Sequence, residues 1–456
     1  MGILIAVGQL ILSLSILIVL HEGGHFFPSK WFGVKVEKFY LFFDAGVKLF
    51  GKKLDGALFK HKVGETEYGI GWLPLGGYVK IAGMMDESFD KEQLAKEPEN
   101  WEFRAKPAWQ RLIIMIGGVT VNFILGIFLL SMVLFTWGKE YVPAENATYG
   151  IAVDSLGTEL GLQDGDRILT VGDTPFDRFN PGILIQGIAI DGAKEVKVRR
   201  DGQEVDLDVP ENFGKRLISE TKKGKKVFNY RLPFVVGEVL KGSAAEGAGM
   251  EKEDSIILVN NQATPFFSDF VKAVSASPGK KVSVGFIRDN QTMSKEMTVS
   301  AEGTVGLRPY GEDRYYESQR DEYALGEAFS QGTKDSYNFL ATQIKAFKRI
   351  FTGEIAAKDS LGGFISIGGL FGDEWLWERF WYMTGILSLI LGFMNLLPIP
   401  ILDGGHVVFL LYEMVTGRTV PEKVMEYMMY AGLILIGALM IFANGNDLVG
   451  LWNGCN

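Results

Sequence analysis

The sequence predicts an α-helical polytopic membrane protein with two β-rich domains inserted between its helices. Hydrophobic residues make up 47% of the 456 residues, and four long windows are almost free of charge. A membrane-spanning helix needs about 20 mostly apolar residues, and each window is close to that length or longer. A polar region in the middle of the chain repeats one pattern of turns and strands, which indicates two copies of a β-rich module.

The four apolar windows are the candidate transmembrane helices. One window alone is also compatible with a buried helix of a soluble core. Four windows separated by long polar intervals favour membrane insertion instead. The predicted spans cover residues 3–20, 113–137, 380–397 and 425–443, and prolines end the third of them.

The distribution of Lys and Arg predicts the orientation of these spans. The segment between the first two helices is rich in lysine, and the short loop after the third carries Arg418 and Lys423. The tail after the fourth helix carries neither residue type. Because short cytoplasmic loops carry an excess of positive charge, we expect these two basic segments in the cytoplasm. Both termini and the long middle region are then outside.

Net charge and cysteine content exclude some classes of function. The net charge of −9 argues against nucleic acid as a partner. Cys455 is the single cysteine, so no intrachain disulfide forms. The N-terminus has no basic n-region and no small-residue cleavage site, so we expect the first apolar segment to remain in the mature protein.

The two middle repeats are recognised by GTELGLQDGDRILTVGDTPF (157–176) and GSAAEGAGMEKEDSIILVNNQATPF (242–266). Each combines small residues, an acidic turn and a strand, and an alternating strand follows. This recurrence resembles tandem PDZ domains, in which a groove binds an extended peptide by strand addition. The alternative interpretation is a pair of β-sandwiches that serves as a spacer.

The sequence HEGGH at the end of the first apolar window predicts a metal site. His21 and His25 lie on one face of a helix, one turn apart, where both can bind one zinc ion. Glu22 is placed to take a proton from a water activated by zinc. A third ligand is needed. Asp403, in the proline-broken stretch NLLPIPILDGGH, is favoured over His406, and His61 is a more distant alternative.

Taken together, HEGGH, NLLPIPILDGG and the PDZ-like repeats resemble the site-2 protease family of intramembrane zinc metalloproteases. The resemblance covers nearly the whole chain. It implies one Zn²⁺ bound by His21, His25 and Asp403, with Glu22 as the catalytic acid/base. It also implies that Asn395 helps to hold the substrate backbone or the scissile carbonyl, and that GIGWLPLGGYVKI (69–81) forms a membrane-associated β-hairpin or sheet. The further substrate-binding residues are then Gly76, Gly77, Tyr78 and Asn122.

The resemblance completes the expected domain organisation. The segments are the first transmembrane helix with HEGGH (1–27), a cytoplasmic segment with the β-hairpin (28–110), the second transmembrane helix (111–138), the two PDZ-like domains (139–228 and 229–312), an amphipathic helical linker (313–379), the third transmembrane helix with the LDG sequence (380–410), and a cytoplasmic loop with the fourth helix and an outer tail (411–456).

The resemblance further implies a function. The expected activity is cleavage of the transmembrane segment of single-span proteins that another protease has already trimmed, such as anti-sigma factors or remnant signal peptides. The expected partners are these substrates, peptide tails at the PDZ-like domains and the lipid bilayer of the inner membrane. Two alternatives are a membrane scaffold with a structural metal, which would not need Glu22, and a metal transporter, which would need polar residues along its helices.

Overall fold

The computed structural model describes residues 2–44, 47–49, 52–54, 56–74, 76–84, 97–356, 358 and 362–454. Cys455 lies outside the described residues. The chain divides into two compact units. Unit 1 contains Met1–Gly138, Glu322–Ile344 and Leu361–Asn456, and unit 2 contains Lys139–Asp321 and Lys345–Ser360.

Unit 1 is built mainly from helices. They are α1 (Gly2–Trp31), α2 (Ala108–Trp137), α8 (Leu325–Phe351, of which the part to Ile344 belongs here), α9 (Phe364–Gly369), α10 (Trp377–Leu396), α11 (Asp403–Thr416) and α12 (Glu422–Gly454). Among the described residues, the other α-helices are short and belong to unit 2, and a 3-10 turn (Phe103–Ala105) precedes α2.

Within the described residues, three helices are long and apolar enough to cross a membrane. They are Gly2–Trp31, Ala108–Trp137 and Lys423–Gly450. They correspond to the first, second and fourth predicted spans. The third prediction corresponds to α10, a helix of 20 residues whose first turns include Glu378, Arg379 and several aromatic residues.

The first helix continues beyond the residue where the sequence predicts its end. Because proline has no N–H, the helix is expected to end near Phe27, yet α1 runs through Pro28 to Trp31. The carbonyl of Gly24, which Pro28 leaves without its helical donor, lies where α1 crosses Gly117 of α2. The hydroxyl of Ser29 also donates to the carbonyl of His25 at 2.8 Å, which adds a side-chain hydrogen bond to the last turn of the helix.

The segment between α1 and α2 contains a four-stranded sheet in the order β4-β5-β1-β6. Its strands are β1 (Val36–Leu41), β4 (Ala57–Val63), β5 (Thr66–Gly71) and β6 (Tyr78–Ile81), and a separate pair is β2 (Val47–Leu49) with β3 (Lys52–Leu54). The sheet that the resemblance implies at residues 69–81 is present, but the predicted hairpin pairing is wrong. Strand β1 lies between β5 and β6, parallel to the first and antiparallel to the second, so β6 is an edge strand.

Unit 2 contains two copies of one module. The first consists of β8 (Ile151–Val153), α3 (Ser155–Glu159), β9 (Arg167–Val171), β10 (Thr174–Pro175), α4 (Pro181–Ile185) with a π turn (Gln186–Asp191), β11 (Glu195–Arg200), β12 (Gln203–Asp208), α5 (Phe213–Lys222) and β13 (Phe228–Tyr230). The second consists of β14 (Val236–Val239), α6 (Ala244–Gly247), β15 (Ser255–Val259), β16 (Gln262–Ala263), α7 (Phe267–Ser275), β17 (Lys281–Arg288), β18 (Gln291–Thr298) and β19 (Leu307–Pro309).

The two modules repeat one arrangement of strands and one buried ion pair. The sheet orders are β10-β9-β11-β12 and β16-β15-β17-β18, with β8–β13 and β14–β19 as the accompanying pairs. Asp166 accepts two hydrogen bonds from Arg200, and Asp254 accepts two from Arg288. Both aspartates are at most 1% exposed. This shared bond confirms the duplication that the sequence predicts.

Each module has its own hydrophobic core, packed between its sheet and its helices. The entry and exit strands of unit 2, β7 (Lys139–Tyr141) and β20 (Gln319–Asp321), pair with each other and place Lys139 opposite Asp321. The end of α8 also belongs to this unit, where Lys345 pairs with Asp191 at 2.5 Å.

Candidate metal centre and active-site cavity

The two histidines of HEGGH project from α1 toward one point. They are one helical turn apart, 8% and 6% exposed, and their Nε2 atoms are 3.4 Å from each other. Both are therefore placed as the helical spacing predicts.

Asp403 reaches the histidines because the chain reverses sharply between α10 and α11. Pro398 and Pro400 end α10, and Asp403 is the first residue of α11. A Cβ added to Gly405 would lie 2.5 Å from the carbonyl oxygen of Ile399, so only glycine allows this close turn. The Oδ2 atom of Asp403 consequently lies 3.4 Å from the Nε2 atoms of both His21 and His25.

These three atoms form a triangle that fits a zinc ion. Zinc bonds of about 2.0–2.1 Å in tetrahedral geometry put neighbouring ligand atoms about 3.3–3.4 Å apart. The three observed separations are each 3.4 Å. Moreover, the buried Oδ2 of Asp403 makes no hydrogen bond within the described residues. A buried carboxylate oxygen without a hydrogen-bond donor is suited to bind a cation, and two imidazoles and a carboxylate are ligands that zinc accepts.

Helix α2 orients the two imidazole rings from the other side. The Nδ1 atom of His25 lies 2.8 Å from the carbonyl oxygen of Ile114, so its N–H donates there and Nε2 stays free for a metal. The side-chain amide of Asn122 lies 3.0 Å from Nδ1 of His21. Its oxygen has no hydrogen-bond partner among the described residues, and a half-turn of the amide lets that oxygen accept from the imidazole N–H.

Gly118 allows α2 to approach the histidines. A Cβ added at this position would lie 2.7 Å from Cε1 of His21, well inside van der Waals contact. Any larger residue would displace the ring. Sequence reasoning missed Gly118 and the carbonyl of Ile114; the signal was the spacing of GGVTVN, which puts Gly118 and Asn122 one turn apart on one helix face.

A cavity of about 590 Å³ opens beside the triangle. Glu22, the next residue after His21, lines it together with the three triangle residues. Asn395, near the end of α10, also lines it, and its amide nitrogen lies 3.2 Å from Nε2 of His21. Glu22 and Asn395 therefore line the same cavity as the candidate ligands, as the resemblance implies.

The edge strand β6 and the turn before it form another wall of this cavity. Gly76, Gly77 and Tyr78 all line it. A Cβ on Gly77 would lie 2.6 Å from the carbonyl oxygen of Tyr40, which explains the glycine. Burial and a 2.9 Å hydrogen bond to Asp44 raise the pKa of the Tyr78 phenol, so it stays protonated. The wall next to the candidate metal site thus combines the outer strand of the sheet, as far as the chain is described, with a neutral hydroxyl.

The alternative ligands are placed differently. His406 lies one turn beyond Asp403 on α11 and lines the cavity, but within the described chain the group with metal-ligand spacing consists of His21, His25 and Asp403. His61 is an exposed residue of β4. The geometry therefore favours Asp403 as the third ligand.

Two imidazoles and a carboxylate at zinc-ligand spacing, with a glutamate on the same cavity, are the arrangement expected of a zinc metallopeptidase. The chain belongs to Peptidase family M50, whose profile matches residues 9–439. It is thus a zinc metalloprotease and a membrane protein.

Relatives match along almost the full chain. The "Regulator of sigma E protease" of Haemophilus influenzae is 27% identical over 99% of this chain and 100% of its own length. The "Regulator of sigma-E protease RseP" of Salmonella typhimurium is 29% identical over 98% and 99%, respectively. A "Putative zinc metalloprotease" of Xylella fastidiosa is 30% identical over 97% and 98%.

Proposed function

We propose that this protein is an intramembrane zinc endopeptidase that cleaves the transmembrane segment of single-span membrane proteins after another protease has trimmed them. Anti-sigma factors and remnant signal peptides are the proposed substrates. The observation that carries the proposal is the 3.4 Å triangle of His21, His25 and Asp403, which opens onto a cavity between apolar helices. The printed names of the sigma E relatives support the first substrate class.

The roles of the residues follow from their positions. His21, His25 and Asp403 would hold zinc, and a zinc ion held there would supply Lewis-acid chemistry and lower the pKa of a water to about 7. Glu22 takes a proton from the attacking water and passes it to the leaving amine. The amide of Asn395 donates a hydrogen bond to the carbonyl oxygen as negative charge develops on it.

The edge strand β6 in the cavity wall is suited to a substrate that is helical in the membrane. A peptide bond inside a helix is shielded by the helix's own hydrogen bonds, so the segment must unwind before cleavage. The free edge of β6 offers backbone groups that pair with an extended strand beside the metal site. Gly76, Gly77 and Tyr78 are the proposed contacts with that strand.

The proposed placement is the inner membrane, with α10 as a fourth spanning helix beside the three apolar helices. Positive charge on the segment after α1 and on the loop after α11 supports a cytoplasmic position for the active site. The two modules and both termini are then outside, where the modules act as PDZ-like domains that bind peptide tails or exclude substrates with a bulky outer domain.

The test compares zinc content with cleavage of a trimmed single-span substrate in liposomes. Wild type, Glu22→Gln and Asp403→Asn are measured beside His61→Ala, a matched control outside the cavity. We expect zinc in wild type, Glu22→Gln and His61→Ala, and cleavage only in wild type and His61→Ala. Cleavage by Glu22→Gln would overturn the mechanism. Full zinc content and cleavage in Asp403→Asn would replace Asp403 by His406 as the third ligand.

A further inference from the structure

Four polar side chains are completely buried where α1, α2 and α10 pack together. All are 0% exposed, and they are Ser13, Asn122, Thr384 and Ser388. A polar group buried among apolar helices is costly unless it is hydrogen-bonded. The partners of these side chains therefore indicate what they do for the packing of the three helices.

A pair of hydroxyls joins α1 to α10. Oγ1 of Thr384 lies 3.0 Å from Oγ of Ser13, and the two side chains are hydrogen-bonded to each other. His21 follows Ser13 about two turns later on α1, and Asn395 follows Thr384 about three turns later on α10. The amide nitrogen of Asn395 lies 3.2 Å from Nε2 of His21. The two helices therefore run in the same direction from the hydroxyl pair to the candidate metal site.

A second hydroxyl joins α10 to α2. Ser388, one turn after Thr384, donates to the carbonyl oxygen of Asn122 at 2.7 Å. A Cβ added to Gly392, one turn further along α10, would lie 3.3 Å from the Cβ of Asn122, so the two helices are in close contact there. The side-chain amide of Asn122 lies 3.0 Å from Nδ1 of His21. The residue to which Ser388 binds is thus itself a neighbour of a candidate zinc ligand.

These bonds are suited to select one alignment of the helices. A hydrogen bond between membrane helices adds little stability on average, because the separated helices also find partners. A shift of α10 by one turn, about 5.4 Å, would nevertheless separate Ser13 from Thr384 and Ser388 from the carbonyl of Asn122. Buried hydroxyls that lose their partners disfavour the shifted state, whereas apolar side chains repack more readily.

We infer that Thr384 and Ser388 are positioning residues, which fix the alignment of α10 against α1 and α2 and thereby place Asn395 beside His21. The inference rests on the proposed role of Asn395 at the scissile carbonyl. A displacement of about 1 Å in such a group can lower a rate about 100-fold. Neither hydroxyl residue lines the cavity, where the proposed substrate contacts of β6 lie. Loss of the alignment should therefore lower kcat and leave KM nearly unchanged.

Replacing Thr384 by valine, which keeps its shape and removes its hydroxyl, tests the bond between α1 and α10. Thr120→Val is the matched control, because the exposed Thr120 donates to the carbonyl of Ile116 in its own helix. Cleavage of the trimmed single-span substrate in liposomes gives kcat and KM. We expect Thr384→Val to lower kcat about tenfold with KM within about twofold, and Thr384→Ser to restore kcat. Equal kcat values for Thr384→Val and Thr120→Val would overturn the inference.

A double-mutant cycle distinguishes the loss of this bond from a general loss of packing. Ser13→Ala removes the same bond from the side of α1. We expect the combination of Ser13→Ala with Thr384→Val to lower kcat no further than the more damaging single change, because residues that act through one contact are not additive. Losses of kcat that multiply in the double variant would mean that the two hydroxyls act separately, and would overturn the inference.

Absorption spectra of the Co²⁺-substituted protein report on the alignment without cleavage. Because the neighbours of His21 orient its ring, we expect the spectrum to shift in Thr384→Val and in Ser388→Ala, with metal content retained. It should not shift in Thr120→Val or Ser15→Ala, whose hydroxyls donate to carbonyls of their own helices. Wild-type spectra in both α10 variants would overturn the inference. Failure of the wild type to cleave would instead overturn the proposed function, and the spectra would still decide the alignment.

Discussion

Two buried aspartates, one in each unit, have opposite surroundings. Asp254 in unit 2 is 0% exposed, and its two oxygens accept bonds from the Arg288 guanidinium at 2.6 and 2.7 Å and from the Glu251 N–H at 2.8 Å. Asp403 in unit 1 has an Oδ2 with no hydrogen bond among the described residues, and two imidazole nitrogens lie 3.4 Å away. A carboxylate that supports a fold has its oxygens satisfied by protein donors, whereas the Oδ2 of Asp403 is suited to bind a cation together with the two imidazoles.

The largest effect is expected for Glu22, the proposed acid/base beside the candidate zinc ligands. Glu22→Gln keeps the size of the side chain but removes its ability to take a proton. We expect cleavage to fall about 10⁴-fold, the upper range for general acid–base catalysis, with zinc content unchanged. Glu65→Gln, a change of the same type at an exposed turn residue of the nearby sheet outside the cavity, serves as control. A Glu22→Gln rate within tenfold of wild type would assign the proton transfer to another group.

Replacing each of the two aspartates in turn tests this comparison directly. Asp254→Ala leaves Arg288 without its buried partner, so the free energy of unfolding of the second module should fall by about 3–5 kcal/mol. Asp403→Asn should leave thermal unfolding without zinc unchanged or improved, because a buried carboxylate oxygen without a hydrogen-bond donor disappears. Metal analysis should give the reverse order, with zinc retained in Asp254→Ala and lost in Asp403→Asn. If both variants lost stability, or if both lost zinc, the distinction between the two aspartates would be wrong.

A smaller effect is expected for Asn122 of α2, whose side chain contacts the candidate zinc ligand His21. Asn122→Leu removes the amide beside Nδ1 of His21, and loss of such a supporting bond typically lowers metal affinity about 10–100-fold. Competition with a chelator measures the zinc affinity, and the absorption spectrum of the Co²⁺-substituted protein reports the ligand geometry. Asn122→Asp, which can still accept from the imidazole N–H, should restore most of the affinity. If Asn122→Leu bound zinc like wild type, Asn122 would be left with its predicted role in substrate binding.

The smallest effect concerns a carboxylate on the surface of unit 2. Hydrogen bonds from Lys223 and Lys225 lower the pKa of Glu220 from 4.5 to about 2. Since the folded-state pKa is depressed, the contribution of this cluster to stability is complete above about pH 4.5 and is lost as the pH falls through about 2. A carboxyl NMR titration of Glu220 should give a midpoint near 2, and the Lys223→Ala variant should raise it. A midpoint near 4.5 in wild type would show that the cluster does not form in solution.

The sequence was informative where one helix or one short motif determines geometry. His21 and His25 share a face because four residues make about one turn, and Asp403 follows from two prolines and two glycines that force a reversal. The repeated acidic turn of the modules predicted their duplication. These features depend on local periodicity, and the structure agrees with each of them.

Features that depend on contacts between distant segments were not predicted. Strand β1 separates β5 from β6 because of a parallel pairing, which hydrophobic alternation alone does not determine. The continuation of α1 through Pro28 depends on the close crossing with α2. Helix α5 was also missed, although apolar residues recur at helical spacing in residues 213–222. Its buried face depends on packing against the module core and the π turn, which are distant in sequence.

The antiparallel ribbon of β7 and β20 has a consequence for engineering. Lys139 and Asp321 are paired neighbours, so residues 139–321 begin and end at one place, although residues 345–360 also belong to unit 2. A tight turn can therefore replace the residues between them without stretching the remaining backbone. Such a shortened chain would keep HEGGH, the LDG turn and the cavity on one polypeptide. It would allow the catalytic part to be produced, crystallised or fused to a different sensor as a separable cassette.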